Sequence, residues 1–333
     1  MHLGMSLLLV LILLAVVWVG VGAIDLHYLF GVIIPYAAIV TFMVGAVYRI
    51  VKWARSAVPF RIPTTCGQQK SLDWIKPGNL EAPHSTWGVI KRMALEVLLF
   101  RSLFRNTKAE LHEGNRLTYG SSKWLWLGGL AFHYSFLVIF IRHFKFFAEP
   151  VPGFVQLAET LDGFFQVGLP IVFITDIIIV LALGYLFLRR VVDPKLRYIS
   201  LAADYFPLFL LGSIVTSGIC VRYFAKTDIV VIKQLGMGLI SFNPPAVATL
   251  EQIGVTFFIH LFFISVLFAY FPFSKLMHFA GVFFSPTRNQ SNDSRVRRHV
   301  NPWPLEVKFH TYEEYEEEFH DVMKAAGLPL EKE

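Results

Sequence analysis

Charged residues are scarce in this sequence of 333 residues. They make up 16% of it, whereas soluble globular chains usually contain about 25%. The composition is 55% hydrophobic and 15% aromatic. The charges are also segregated, which leaves apolar runs long enough to cross a bilayer, a distance that takes about 20 helical residues. These features exclude a soluble globular protein and predict an integral membrane protein.

Cysteine is nearly absent, because the sequence contains only Cys66 and Cys220. Two cysteines are too few for a disulfide framework or for the thiolate ligands of an iron–sulfur cluster. No C-x-x-C-H motif occurs, so covalently attached c-type haem is not expected. Both cysteines are predicted to be free thiols.

The sequence also lacks the motifs of soluble enzymes. It contains no nucleophile–base motif, no phosphate-binding loop and no soluble segment of the size of a catalytic domain. The formal net charge is +6, but the positive residues flank apolar runs, which is typical of membrane orientation. We therefore expect neither a catalytic site of its own nor a nucleic acid as a partner.

Six apolar runs predict about six transmembrane helices, so the expected fold class is an all-α integral membrane protein. The last run is longer than a bilayer requires and contains Pro272. Proline is expected to kink it, because it lacks an N–H and clashes with the preceding turn. The predicted spans cover residues 3–23, 26–51, 124–147, 167–188, 201–224 and 253–284.

Lysine and arginine are unevenly distributed among the connections between these spans. Twelve of them, against five acidic residues, lie in segment 52–123, and none lies in 146–166. By the positive-inside rule, segment 52–123 and both termini are predicted to be cytoplasmic. The 222–251 connection contains three basic residues and fits this orientation least well.

Two polar segments are expected on the cytoplasmic side. Segment 52–123 includes an amphipathic stretch at 86–104 that predicts a helix on the membrane surface. Segment 285–333 turns from basic to acidic, and its acidic run is either a solvated helix face or a helix that docks on a partner. Residues 1–51 as two N-terminal helices and 124–284 as a four-helix domain complete the predicted organisation.

Four of the eleven histidines lie in or beside apolar spans: His133 and His143 in the third, His260 and His278 in the sixth. Ionisable side chains inside a membrane are costly and mark functional sites. Antiparallel helices match His133 with His278 and His143 with His260. Two imidazoles are the axial ligands of an electron-transferring haem b iron. The pairs therefore predict a di-haem helix bundle, with the His143/His260 haem nearer the exterior.

The spacing of these histidines does not fit straight, matched helices. The ten residues from 133 to 143 rise about 15 Å, and the eighteen from 260 to 278 rise about 27 Å. Tilt of the helices and a kink at Pro272 must compensate for this difference in rise along the helix axis. Eighteen residues make five helical turns, which predicts that His260 and His278 share one helix face.

A haem-free transporter or membrane scaffold is the alternative class of function. In such a protein the histidines would relay protons or form hydrogen bonds between helices. The sequence shows no internal repeat and no pair of Gly/Pro-broken spans in corresponding halves, features that mark many transporters. A Soret band in the purified protein would discriminate between the two classes.

The histidine-bearing segments resemble the NarI-type cytochrome b family, the gamma subunits of respiratory nitrate reductases. These segments are WLGGLAFHYSFLVIFIRHFKFF and FFIHLFFISVLFAYFPFSKLMHFAGVFF, and the family places its haem ligands at the same two spacings. The resemblance covers residues 124–284. The extra N-terminal span, the basic segment containing PTTCGQQKSLDWIKPGN and the acidic tail resemble more the DsrM-type membrane cytochromes of DsrMKJOP complexes.

The resemblance implies a subunit with two haems b in the cytoplasmic membrane of a prokaryote. It implies electron transfer between quinone, in particular menaquinone, and a cytoplasmic iron–sulfur subunit that is DsrK-like and similar to heterodisulfide reductases. The setting would be sulfur- or sulfite-linked respiration, in a complex with further membrane and exterior redox subunits. The family's quinone-site lysine has no counterpart here, where Gly163 stands.

Charged residues at the level of the predicted outer haem are candidates for a quinone site. Arg142, Lys145, Glu149 and Asp162 could hydrogen-bond a quinone oxygen or relay its protons. Each of them is alternatively an interface anchor or a snorkelling charge. Helix pairing or capping is expected for Asp176 and Asp204. The remaining histidines are expected to be solvated: His2, His27, His84, His112, His299, His310 and His320.

Overall fold

The computed structural model describes residues 2–57, 67–166, 170–225, 227–297 and 309–332. Cys66, His299 and the start of the predicted fourth span lie outside the described residues. The first helices and the strands that follow them are α1 (His2–Gly22), α2 (Ile34–Ala54), α3 (Thr86–Leu99), α4 (Arg101–Arg105), β1 (Thr107–His112) and β2 (Arg116–Ser121).

The rest of the described chain is mostly helical and contains one further pair of short strands. Its elements are α5 (Lys123–His143), α6 (Gly153–Asp162), β3 (Gly163–Phe165), β4 (Val172–Phe173), α7 (Ile174–Val192), α8 (Pro194–Ile199), α9 (Ala202–Ile219), α10 (Ile229–Ile240), α11 (Val247–Leu250), α12 (Val255–Tyr270), α13 (His278–Gly281) and α14 (Tyr312–Ala325).

The structure confirms a mostly helical fold of the membrane type. With their adjoining turns, α1, α2, α5, α9 and α12 form five segments long and apolar enough to cross a membrane. A sixth long helix, α7, has an apolar centre but carries Asp176 in its first turn and Arg189 and Arg190 in its last. The number of six spans stays a prediction.

Helix α12 lies at the centre of the packing. It contacts α1, α2 and α9, while α5 packs on α7 and α7 packs on α9. Val17, Leu210 and Phe258 are fully buried where these helices meet. Large apolar side chains elsewhere on the helices are exposed, which is the pattern of a bundle surrounded by lipid.

Two β-hairpins depart from the all-α prediction. Strands β1 and β2 pair antiparallel from Thr107 opposite Ser121 to His112 opposite Arg116. Strands β3 and β4 form a small second hairpin, so α7 begins at Ile174, seven residues later than predicted. The delay has a physical cause, because the Asp162 carboxylate accepts a hydrogen bond from the Thr175 N–H at 2.9 Å and so caps the start of α7.

The predicted surface helix at 86–104 is present but divided. Ser85 caps α3 by accepting from the Gly88 N–H, and Phe100, with φ of +48°, separates α3 from α4. The Trp126 and Tyr134 side chains of α5 donate to the last carbonyls of α3 at 2.7 and 3.0 Å. These bonds tie the amphipathic segment to the helix that carries two of the four paired histidines.

The 222–251 connection contains a helix that the sequence analysis missed. Helix α10 is apolar, and Val231 and Leu235 are buried in the same core cluster as Phe258. At 12 residues it is too short to span a membrane. This connection fitted the predicted orientation poorly because of its three basic residues. Part of that basic charge therefore lies on a packed helix.

The acidic tail forms α14, capped by a reciprocal pair of hydrogen bonds between Thr311 and Glu314. Glu316 is 1% exposed, and its carboxylate accepts from the Lys332 N–H at 2.9 Å, so the chain end folds back onto the helix. Phe319 and Val322 are exposed. The choice between a solvated face and a docking helix stays open.

Candidate functional site

The four histidines of the apolar segments meet in two pairs. The ring centres of His133 and His278 are 6.0 Å apart, and those of His143 and His260 are 6.4 Å apart. These are the two pairs that the antiparallel arrangement predicts. Helix α5 supplies one member of each pair, and the segment that contains α12 and α13 supplies the other.

His278 reaches His133 through a break in the helix, and the prediction that His260 and His278 share one face of a continuous helix is wrong. Helix α12 ends two residues before Pro272, and two short 3₁₀ turns connect it to α13, whose first residue is His278. The proline therefore does more than kink the helix, because it ends the regular hydrogen bonding.

A hydrogen bond holds the Nδ1 atom of each paired histidine. Three of them donate from Nδ1 to backbone carbonyls: His133 to Gly129 at 2.7 Å, His143 to Ile139 at 2.7 Å and His278 to Lys275 at 3.1 Å. A carbonyl can only accept, so in these bonds Nδ1 carries the proton. The Nε2 lone pair of the neutral ring is thereby free to bind a metal.

Helix α9 supports the fourth histidine through two residues that sequence analysis did not identify. Ser217 Oγ lies 3.0 Å from His260 Nδ1 and donates to the Ile214 carbonyl at 3.1 Å. The imidazole is therefore the donor to the serine. A Cβ atom at position 218 would lie 3.0 Å from the His260 ring, so Gly218 allows the close approach of α9. A small-residue pair inside an apolar helix is the signal that could have found this contact.

The geometry of both pairs fits haem b. With metal–imidazole bonds of about 2 Å on each side, two opposed rings have their centres about 6 Å apart. His133 and His278 are exposed and His143 and His260 are half-buried, although they lie in apolar segments. Within the described part of the chain, α5 and α12 are not extensively packed against each other.

Arg142, next to His143, belongs to a buried group of ion pairs. The side chain is 6% exposed, its Nη2 donates to Asp176 Oδ1 at 2.7 Å, and its Nε lies 3.2 Å from Asp162 Oδ2. The Thr175 hydroxyl donates to Asp162 at 2.6 Å. We call these four residues the Arg142 network. Helix pairing by Asp176 is confirmed, whereas Arg142 and Asp162, both predicted for the quinone site, pair with each other.

Two aromatic residues extend this network to the end of α9. The Phe173 ring lies under the Arg142 guanidinium at 3.6 Å and under the Arg222 guanidinium at 4.3 Å. Tyr223 donates from its hydroxyl to Asp176 at 2.9 Å. Cation–π contacts and charge-assisted hydrogen bonds thus fix the ends of α5, α7 and α9 at one level. The end of the bundle that holds His143 and His260 is called the His143 end below.

The other two quinone-site candidates are also paired. Lys145 donates to Glu159 at 2.5 Å, and Lys233 forms an ion pair with Glu149. The structure therefore distributes the four predicted residues among three separate groups of ion pairs. Their role at a quinone stays a prediction. The expected capping role of Asp204 is confirmed, because its carboxylate accepts from the Leu201 N–H at 3.1 Å.

His27 contradicts the prediction that the remaining histidines are solvated. It is 8% exposed, and its ring meets Phe258 of α12 edge-on at a centroid distance of 5.3 Å. Its Nδ1 atom is buried and has no hydrogen-bond partner among the described residues. The side chain lines an open cleft together with Val21, Gly22, Asp25, Glu251 and Val255.

A family model for the nitrate reductase gamma subunit matches residues 84–295. This region is more than half of the chain and contains His133, His143, His260 and His278. The chain belongs to the nitrate reductase gamma subunit family. The predicted resemblance is thereby confirmed at the level of the family, and α1, α2 and α14 lie outside the matched region.

Two archaeal relatives match a longer part of the chain. It is 48% identical over 284 residues to the Hdr-like menaquinol oxidoreductase cytochrome b-like subunit of Archaeoglobus fulgidus, a match covering 84% of this chain and 85% of that protein. It is 43% identical over 274 residues to the subunit of the same description from Archaeoglobus profundus, with 81% of each chain covered.

Proposed function

We propose that this chain is a di-haem cytochrome b subunit that carries electrons between quinone in the membrane and a cytoplasmic iron–sulfur subunit. The observation that supports this most directly is the pairing of four imidazoles at 6.0 and 6.4 Å between ring centres. In each ring Nδ1 is already hydrogen-bonded, so Nε2 remains for the metal. A hydrogen-bonding role alone would not require two opposed imidazoles at the spacing of axial ligands.

When bound, haem b supplies a one-electron carrier at each pair. The chain's own residues would orient the four imidazoles and fix the tautomer that carries its proton on Nδ1. Backbone carbonyls do this for three rings, and Ser217 does it for His260. Such outer hydrogen bonds raise the basicity of the ligand and fix the orientation of its ring.

The direction and the partners of electron transfer form the second part of the proposal. The relatives are called Hdr-like menaquinol oxidoreductase cytochrome b-like subunits, which supports menaquinol as the donor at the His143 end. The basic segment 52–123 and the tail would face the cytoplasm and bind a DsrK-like iron–sulfur subunit. We also propose that the chain takes part in sulfur- or sulfite-linked respiration, as its resemblance to DsrM-type cytochromes implies.

A haem count on the purified chain tests the first part. A reduced-minus-oxidised spectrum with a pyridine haemochrome assay should give about two haems b per chain, one for each histidine pair. His143→Ala and His260→Ala should each leave about one haem, and both should remove the same spectral component. His133→Ala and His278→Ala should remove the other component.

His112→Ala provides the matched control, because His112 is exposed on β1 and its loss should leave both haems. Loss of both haems in every histidine variant, with the fold intact, would argue against two independent pairs. A folded, haem-supplied chain without a Soret band would exclude the cytochrome and favour the haem-free transporter or scaffold.

A further inference from the structure

We infer that the cleft around His27 binds the headgroup of a quinol. This inference rests on the proposed function, since it names where the electron donor would bind. The cleft lies where the connection between α1 and α2 meets the start of α12, and its lining residues come from both sides of that junction. It therefore includes residues outside the region matched by the family model.

The His27 side chain provides the polar contact for such a ligand. A buried polar atom in a protein almost always has a hydrogen-bond partner. The Nδ1 atom of His27 has none among the described residues, and the ring lines an open cleft. This atom is closed off from solvent, so a ligand hydroxyl in the cleft would donate instead to the other ring nitrogen, Nε2.

The remaining lining residues match the other parts of a quinol. Val21 is buried and Val255 half-buried, and these apolar side chains suit the planar ring. Asp25 and Glu251 are exposed at the cleft and offer carboxylates that can accept a hydrogen bond from the second hydroxyl. Ile24, in the same connection, is exposed and provides an apolar surface along which an isoprenoid tail can lie.

The depth of the cleft also suits electron transfer. His27 contacts Phe258, and Phe258 precedes His260 by two residues on α12, a rise of about 3 Å along the helix axis. A headgroup bound at His27 would therefore lie at nearly the same membrane depth as the His143/His260 pair. The four charged residues predicted for the quinone site are all engaged in ion pairs instead.

Gly22 allows a test that leaves His27 itself unchanged. Its backbone is not in the left-handed region, and an added Cβ would meet only the Val255 side chain, at 3.9 Å. Gly22→Val should therefore fill part of the cleft without strain. Gly4→Val is the matched control, because Gly4 lies on the same helix and an added Cβ there meets nothing within 4 Å. His27→Phe retains the packing on Phe258 and removes the ring nitrogens.

The probe is an azido-naphthoquinone, photolysed with the purified full chain, followed by mass spectrometry of the labelled peptides. Labelling is expected in the peptides that contain 21–27 and 251–255, with competition by menaquinone. It should fall about tenfold in Gly22→Val and His27→Phe, as expected for the loss of one buried hydrogen bond or of ligand space. Gly4→Val should label like the unchanged chain.

Labelling that persists in both cleft variants, or that maps only to the peptides of the Arg142 network, overturns the inference. If menadiol still reduces two haems in those variants, the proposed function stands and the binding site is elsewhere. If the chain binds no haem but the label maps to the cleft and is lost in the variants, the quinol site stands and the proposed function fails. The two proposals are therefore distinguishable.

Discussion

At the scale of single residues, the site depends on how each imidazole is held. Three of the four paired histidines bond to backbone carbonyls of their own segment, three or four residues earlier in the chain. His260 depends instead on the hydroxyl of Ser217, which comes from a neighbouring helix. This difference makes His260 the one paired ring whose orientation a single side-chain substitution can release.

Ser217→Ala should weaken haem binding at the His143/His260 pair while the other pair is unchanged. Removing an outer hydrogen-bond partner of a ligand typically costs about 10- to 100-fold in affinity. Haem titration of the apoprotein, followed by absorbance, measures the effect. Ser265→Ala is the matched control, because Ser265 is buried on α12 and its hydroxyl donates to the Leu261 carbonyl of the same helix. Equal losses in both variants would show a general packing defect.

Arg142 is the other residue whose removal should have a large effect. Arg142→Met should lower the free energy of unfolding by about 3–5 kcal/mol, because it leaves the buried carboxylate of Asp162 and the partly buried carboxylate of Asp176 without their cation. Thermal unfolding in detergent measures this change. Combining it with Asp162→Asn and Asp176→Asn should recover most of the loss, since no buried charge is then left alone.

Lys145→Met is the comparison for this prediction. The Lys145–Glu159 pair is partly exposed, and exposed ion pairs contribute only about 0–1 kcal/mol. A decrease as large as that of Arg142→Met would mean that burial does not distinguish the two pairs.

At the scale of elements, the break between α12 and α13 decides the position of His278. Pro272 is buried, and an added Cβ at Gly45 of α2 would collide with its ring at 2.8 Å. The break is thus fixed by tight packing against α2 as well as by the missing N–H of proline. Five uninterrupted helical turns would have separated the two histidines further along the axis than the ten-residue spacing on α5 allows.

Pro272→Ala should allow α12 to continue through position 272 and should displace His278 from His133. We expect loss of the haem at that pair and retention of the haem at His143/His260, visible as loss of one component in the reduced spectrum. Pro35→Ala is the matched control, because Pro35 lies in a segment that is helical on both sides of it, from the π turn Leu29–Ile33 into α2, so its removal should displace neither histidine pair. Retention of both haems in Pro272→Ala would show that packing alone holds the break.

Sequence patterns predicted some elements well and others poorly, for identifiable reasons. Long apolar runs located α1, α5, α9 and, together with the π turn that precedes it, α2 to within about five residues, because span length is set by the bilayer. The last run was predicted as one span over 253–284, whereas α12 ends at Tyr270. The antiparallel order of the third and sixth spans was enough to pair the histidines. The Arg142 network, Ser217 and the buried state of His27 could not be predicted, since they depend on which helices are neighbours. Helix α10 was missed because an apolar stretch of 12 residues is too short to be predicted as a membrane span.

At the scale of the whole molecule, the distribution of charge predicts orientation. Segment 52–123 leads into α5 ten residues before His133, the tail follows α13, which begins at His278, and segment 146–166 follows the end of α5 at His143. The positive-inside rule assigns segment 52–123 and the tail to the cytoplasm. Electrons entering at the His143 end would therefore leave toward the compartment where an iron–sulfur partner is expected.

Cysteine labelling tests this orientation. With Cys66 and Cys220 replaced by serine, Glu317→Cys should react with a membrane-impermeant thiol reagent only after intact cells are opened. Gly153→Cys, in the exposed first turn of α6, should react without opening the cells. The reverse pattern would invert the orientation and place the His143 end in the cytoplasm.

The weak packing between α5 and α12 has a consequence for the life of the protein in the cell. A haem bound through residues of both helices would bridge parts of the chain that make little contact of their own, and so would add its binding energy to the stability of the fold. A chain made during iron shortage would lack this bridge and open more often. The abundance of the protein should then follow the supply of iron, through proteolysis of the unbridged form.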